Sequence, residues 1–381
     1  MTRQPLAWVA VAICAATQAT AQAPSIDLSS HTVETVVPPE FDGGFLHRVV
    51  EIVVRDKGVW VNDIGRLRLF QFDHTGRLVV EYGRQGSGPG EFLMPGGLHV
   101  DSVVTVIDQR QKRIVRFGLD GEHLDTRRMG ASVTGGAHVP VGWTVPPLRN
   151  GVTAAVTLGW YSYGGNAVSQ PFNHVLLAFP GVAAVDTIAT YHFGNARWQA
   201  GGSMGGFNPR FGEGGAWAAM GDSAIVVADG VTGLVVFFTA RTPRQLANVS
   251  DISAWFAVDT VSLGFSARLV SPSDRARAER DLRRAEPNLP ARVDLDGWPE
   301  HWSVATDLLV ADDGNVWARQ VVGGDGRQHW TEVDRDGPER RQYVLPERFR
   351  LLAVAGGALY GVAVDELGVQ SVGKLQLPNV P

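Results

Sequence analysis

Histidine is the side chain best suited to hold a transition metal or move a proton near neutral pH, and the chain contains ten. None stands at the paired helical spacing of a zinc protease, and none lies near a cysteine set. His99 and His138 fall at or near the starts of β-prone runs, and His301 precedes another. A calcium or zinc centre would have to draw on these three from separate segments; the competing reading makes them surface or packing histidines. Asp63, Asp108 and Asp229 recur at equivalent strand ends. Calcium would need several such oxygens to converge, whereas one carboxylate at a strand end readily accepts hydrogen bonds from the turn that follows, which is the preferred role. No Gly-x-Ser-x-Gly elbow occurs. The glycine-rich stretch Gly83 to Gly90 lacks the lysine and hydroxyl of a phosphate loop and opens no helix, so it reads as a tight crossing between sheets.

Aromatic residues offer a second kind of site. Among eleven tryptophans, Trp60, Trp317 and Trp330 lie in strands and suit packing. Trp160, Tyr161, Tyr163, Trp198, Trp298 and Trp302 fall in loops or an insertion, where an apolar ring is costly unless covered. They either cover long loops with small cores of their own or form a stacking platform for a sugar or peptide. No catalytic set emerges from these groups, and the sequence names no ligand.

The elements that position these residues are strands in a repeat. Val49 to Val54, Val59 to Asp63, Leu67 to Asp73 and Leu78 to Tyr82 are apolar runs separated by the turns Asp56-Lys57-Gly58 and His74-Thr75-Gly76, which is the pattern of one four-stranded antiparallel sheet. The pattern returns: Asp63 and Asp108 stand about 45 positions apart and Asp73 and Asp120 about 47, within the period of a propeller blade. Val226-Val227-Ala228-Asp229 restates it, and Leu308 to Trp317 parallels Val53 to Trp60. The expected fold is all-β: a six-bladed β-propeller of four-stranded antiparallel blades, with one short helical insertion. High glycine (45) and proline (21) with 44% hydrophobic residues suit many short buried strands.

The second copy carries a resemblance. Pro95-Gly96-Gly97-Leu98-His99-Val100-Asp101, Val103 to Asp108, Ile114-Val115-Arg116-Phe117 and Asp120-Gly121 resemble an NHL-type repeat, and the linker Gly83 to Phe92 looks like the segment between blades of secreted bacterial six-bladed propellers. The likeness is good over Val49 to Arg128 and loose elsewhere. It implies a propeller whose ligands gather at a central channel. Among enzymes of such a family it would allow a metal-dependent lactonase or lyase.

Outside the repeat, residues 1–21 read as a signal peptide, with Arg3 before the apolar run Leu6 to Ala16 and small residues at the cleavage site. Export to the periplasm or outside the cell follows. The only cysteine, Cys14, lies within that segment, and Ile13 disfavours its use as a lipid anchor. No segment reaches the roughly 18 apolar residues of a membrane helix. Residues 22–381 read as one propeller domain. Thr32 to Val37 is a lone β-prone run that would pair with the last strand and close the ring. The third unit, from about His138, is expected to have strands at Gly142 to Val145, Val152 to Leu158, His174 to Phe179 and Val185 to Tyr191, and Gly194 to Gly215 reads as an ordered loop. Within an insertion at about 264–300, Ser271, Pro272 and Asp274 start a surface helix that ends at Glu286-Pro287.

A net charge of −5 leaves no basic field for a phosphate backbone, which argues against nucleic acid. Expected partners are a small molecule, glycan or protein at one propeller face. The leading functional expectation is an exported binding module; the alternative is the metal-dependent enzyme just named.

Overall fold

The computed structural model describes residues 23–128, 148–157, 172–178, 185–192, 196–200, 203–207, 215–241, 255–264, 267–285, 287, 294–296, 300–320, 327–335 and 340–378. Within them the chain forms a β-propeller. Blade 1 has the strands Val49–Arg55, Gly58–Asp63, Arg68–Phe72 and Leu78–Tyr82 in sequence order. Blade 2 follows with Pro95–Val100, Val104–Asp108, Arg113–Phe117 and His123–Arg128. The same order holds in blade 4 (Gly215–Met220, Ala224–Asp229, Leu234–Ala240, Phe256–Ser262) and blade 5 (Asp307–Val310, Val316–Gln320, Gln328–Val333, Arg340–Leu345). Blade 6 has Phe349–Ala355, Ala358–Val364 and Gln370–Gln376, and its fourth strand is Glu34–Val37 from the other end of the chain. Val37 lies opposite Val372 and Glu34 opposite Lys374, so this blade joins the beginning of the ring to its end.

Between blades 2 and 4 lies a sheet with three described strands, Thr153–Thr157, Phe172–Ala178 and Val185–His192. The strand expected at residues 142–145 lies outside the described residues. The glycine-rich segment read as a loop contains two strands, Ala196–Ala200 and Ser203–Phe207, paired with each other and, through the first, with Asp294–Asp296. Backbone pairing needs no alternation of side chains, so a stretch without apolar periodicity can still form a sheet. Blade 5 also gains an unforeseen fifth strand, Ser25–Asp27, parallel to Arg340–Leu345.

The cores lie between the blades. Trp60, Tyr82 and Phe92 pack with Val100, Val106 and Phe117 between blades 1 and 2. Val49, Ile52 and Phe70 meet Tyr360, Val362 and Val372 between blades 6 and 1. Trp317, Trp330 and Tyr343 meet Phe349, Leu351 and Leu359 between blades 5 and 6, and a further cluster joins blades 4 and 5. This explains the second strand of blade 1, Gly58–Asp63, in which every residue is buried: both faces of the sheet are covered, so β-branched and aromatic residues are favoured at successive positions. The tight turn before it requires Gly58, whose φ is +135° and where a side chain would meet the Phe72 carbonyl.

The helix Pro272–Ala285 packs one side only, through Asp274, Ala278 and Leu282. Its start is a reciprocal cap: the Asp274 N–H donates to Ser271 Oγ (3.2 Å) and the Ser271 N–H to Asp274 Oδ2 (3.0 Å).

Candidate binding site at the channel rim

First strands of successive blades line the axis of a propeller, and five of them are described. Their half-buried side chains are mostly aliphatic, among them Val50, Val53, Leu98, Leu309 and Leu352. Polar groups gather at the two ends. The upper rim is where the chain enters each first strand; the lower rim is where it turns into the second.

The recurring aspartates organise the upper rim. Asp63 is fully buried and accepts from its own turn, Gly65 N (3.0 Å) and Arg66 N (3.3 Å), and from the incoming linker, His47 N (2.8 Å) and Arg48 N (2.9 Å). Asp108 repeats this with Arg110 N and Gln111 N on one side and Leu93 N on the other. Asp229 accepts from Val231 N, Thr232 N and Thr232 Oγ1, and Asp365 does the same for Leu367 N and Val369 N. These carboxylates are turn caps, and those of Asp63 and Asp108 also clasp the crossing from the preceding segment. The crossing Gly83 to Phe92 is pinned in turn. Arg113 donates to the Ser87, Gly88 and Glu91 carbonyls (2.9, 3.0 and 2.7 Å), and Gly88 N donates to Glu91 Oε2 (2.7 Å).

Three arginines, none among the residues singled out from sequence, meet on the upper rim at blades 5, 6 and 1. Arg350 is the second residue of its first strand, and its guanidinium reaches over the blade boundary to donate to the Val49 carbonyl. The Val49 N–H donates to Gln370 Oε1 (3.0 Å), so both backbone groups of Val49 are tied to blade 6. Arg48 immediately precedes Val49 and has an exposed side chain. Arg319 lies opposite Asp307, the first residue of blade 5, and pairs with it at 2.9 Å. Burial pushes the Arg350 guanidinium below its ordinary range, and the fields of Arg319 and Arg48 add to that against the opposing pull of Asp307. Arginine stays charged under such a shift.

Glu51, also missed, sits on the first strand of blade 1 and faces blade 2. Asn62 Nδ2 donates to it at 2.7 Å and the Leu98 N–H at 3.2 Å. That N–H is free because the ladder of blade 2 slips between Gly96 and His99, a bulge in which Gly97 has a φ of +60°. Burial raises the Glu51 carboxyl above the usual range, opposed by these hydrogen bonds. The signal in sequence was a single acid inside the run VVEIVVR.

Of the histidines proposed as ligands, His99 lies near the lower rim, where a side chain on Gly221 would come within 3.8 Å of its ring. Burial depresses its pKa, as does Arg55, while Asp222 and Asp101 oppose the shift. His301 pairs with Leu269 on a segment whose neighbours, Val304 and Ala267, bond Gly230 and Val231 at the other end of blade 4. The two therefore belong to opposite ends of the ring. His138 lies outside the described residues. Among the described residues no three His, Cys, Asp or Glu side chains group as a metal-ligand set.

Of the aromatic candidates, the two within the described residues lie on different elements. Trp302 is buried; the Arg268 guanidinium lies 4.1 Å from its ring centroid and its indole N–H donates to Asp274 (3.1 Å). Its ring thus serves the helix, not an open platform. Trp198 falls in the strand Ala196–Ala200, while Trp160, Tyr161, Tyr163 and Trp298 lie outside the described residues. Trp60, Trp317 and Trp330 are buried in the inter-blade cores, with Trp317 stacked on Tyr343 at 4.6 Å.

Fold and rim together define a β-propeller with a charged channel mouth. Residues 42–141, spanning the first two blades, match the model of a family described as a 6-bladed beta-propeller (DUF5128). No curated protein matches the chain. Among solved structures, a Bacteroides fragilis protein described as exported is similar at 12% identity over 92% of this chain and 98% of that one, with a TM-score of 0.48. A DUF4221-family member from Bacteroides vulgatus is similar at 8% identity (90% and 94% covered, TM-score 0.47), and the calcium-binding protein regucalcin from Agrobacterium tumefaciens at 10% (93% and 96%, TM-score 0.44). The chain is all-β and propeller-folded, with blades of four antiparallel strands and, among the described residues, one helix, which is neither long nor apolar enough to cross a membrane.

Proposed function

We propose that this protein is an exported binding module that receives its ligand at the upper rim of the propeller channel and performs no chemistry on it. The observation that carries the reading is the division of labour among charges. The carboxylates near this rim, Asp63, Asp108 and Asp229, are engaged with backbone N–H groups, and Glu51 is shared between Asn62 and Leu98. Beside them Arg48 presents an exposed guanidinium and the exposed Asp307 is paired with Arg319; arginine grips an anion but cannot exchange a proton near neutral pH. Export rests on the basic, apolar and small-residue pattern of residues 1–21.

Two measurements test this. A reporter enzyme active only outside the cytoplasm, fused after residue 21, should gain activity; a silent fusion removes the export claim. The purified mature chain should show ligand-dependent thermal shifts in a panel of small metabolites, glycans and peptides, with each stabilising compound recovered unchanged by mass spectrometry. Recovery of a product would replace binding with catalysis. The metal-dependent alternative has one observation in its favour: the charges of Asp222 and Asp101 act on the half-buried His99, although the three do not group as a ligand set. Stoichiometric calcium or zinc in the purified protein, lost in His99→Ala, would support it over the binding reading.

A further inference from the structure

Three arginines come together at the upper rim, beside carboxylates that are engaged by backbone N–H groups or, at Asp307, by one of the arginines. Arg48 and Arg350 flank the seam between blades 6 and 1, and Arg319 stands on the adjoining blade 5, with Asp307 as its partner. Arg350 is held by the Val49 carbonyl through one nitrogen, which fixes the guanidinium at the mouth and leaves its other donors available. The Arg48 backbone is fixed by Asp63, while its guanidinium has no hydrogen bond among the described residues. Arg348, nearby in sequence, is paired at 4.0 Å only with the almost fully exposed Glu366. Arg350 is held by a carbonyl and Arg319 by a carboxylate, while the Arg48 side chain makes no hydrogen bond among the described residues, so guanidinium groups on three adjacent blades offer donors at one mouth.

We infer that this rim is an oxyanion-binding site in which Arg48 and Arg350 hold a carboxylate or phosphate group and Arg319 is kept in partial reserve by Asp307. The inference rests on the reading of the upper rim as the ligand-binding end, but it is tested without knowing the natural ligand. Asp307 acts as an internal competitor. Removing its charge releases Arg319 to the ligand, so loss of an acid should tighten binding while loss of an arginine should weaken it. A purely structural role for these side chains would not produce effects of opposite sign.

The experiment uses the mature chain and three probes at matched ionic strength: inorganic phosphate, acetate and chloride. Binding is followed by calorimetry and by the rise in melting temperature with concentration. Phosphate or acetate should stabilise the protein beyond chloride, and whichever of the two does so identifies the head group. Arg48→Gln should weaken that anion by about tenfold or more, the scale of one charge-assisted hydrogen bond, and Asp307→Asn should tighten it by about threefold or more. Arg48 has no described side-chain bond to lose, so its variant should fold. Equal responses to all three salts would overturn the inference, as would unchanged affinity in Arg48→Gln or weaker binding in a folded Asp307→Asn. Anion binding here would stand even if the natural ligand were later found to be turned over, which separates this result from the fate of the binding-only reading.

Discussion

Replacing Asp63 with alanine should destabilise the propeller well beyond the effect of the same change at Asp229. Four backbone N–H groups converge on the Asp63 carboxylate, two from the turn Gly65-Arg66 and two from the incoming linker at His47 and Arg48. A hydrogen bond to a charged group contributes about 1.5–3 kcal/mol, so four would sum to more than the fold could lose unnoticed. The His47 and Arg48 side chains are exposed, however, and water can reach part of the freed backbone. The bond from Arg66 is also long, at 3.3 Å. A net loss of about 3–4 kcal/mol is therefore expected, or a fall in melting temperature of about 6–8 °C at roughly 2 °C per kcal/mol for a chain of this size. At Asp229 the donors all come from its own turn, Val231 and Thr232. Its loss should cost only about 1–1.5 kcal/mol, as for a typical cap. Thermal and urea unfolding of both variants, followed by circular dichroism, decides the matter. Equal losses at the two sites would refute the idea that Asp63 joins linker to blade.

Three further outcomes follow from the same contacts. The Glu51 carboxyl is raised by burial, so its contribution to stability is fully present below the ordinary glutamate range and is lost as pH rises through its folded value. Glu51→Gln should gain on the wild type across that window, and parallel stability–pH curves would exclude the effect. Deleting Glu34–Val37 removes the fourth strand of blade 6 and the fully buried Val37; a loss of at least about 3 kcal/mol is expected from that side chain and its ladder together, and an unchanged melting temperature would show that ring closure does not depend on this strand. Asp274 is raised by burial but held well below the carboxylate range overall by Ser271, Trp302 and Arg268. Its stabilising effect is present above the ordinary aspartate range and is lost as pH falls through the folded value. Asp274→Ala should accelerate hydrogen exchange across Pro272–Ala285, with a local cost of about 2 kcal/mol; unchanged protection would deny the cap its role.

What could be read from the linear chain was whatever is decided within one blade. The spacing of Asp63 and Asp108 marks the repeat because each carboxylate caps the turn directly after it, a local event that leaves a local signature. The apolar run through Trp60 likewise reflects a strand covered on both faces, and the helix start is spelled out by Ser271, Pro272 and Asp274. The strands in the glycine-rich segment Ala196–Phe207 escaped because pairing there is carried by backbone groups that leave no alternating pattern. Contacts between blades were hidden for a different reason. Glu51 has meaning only beside the bulge at Leu98, and Arg48, Arg319 and Arg350 become neighbours only after five blades have curved the chain back upon its beginning. A period announces that sheets will stack in a ring. Which charges then share its mouth depends on the angle between blades, and that angle is set by the packing of Trp317, Phe349, Val49 and their neighbours, not by any residue's place in the sequence.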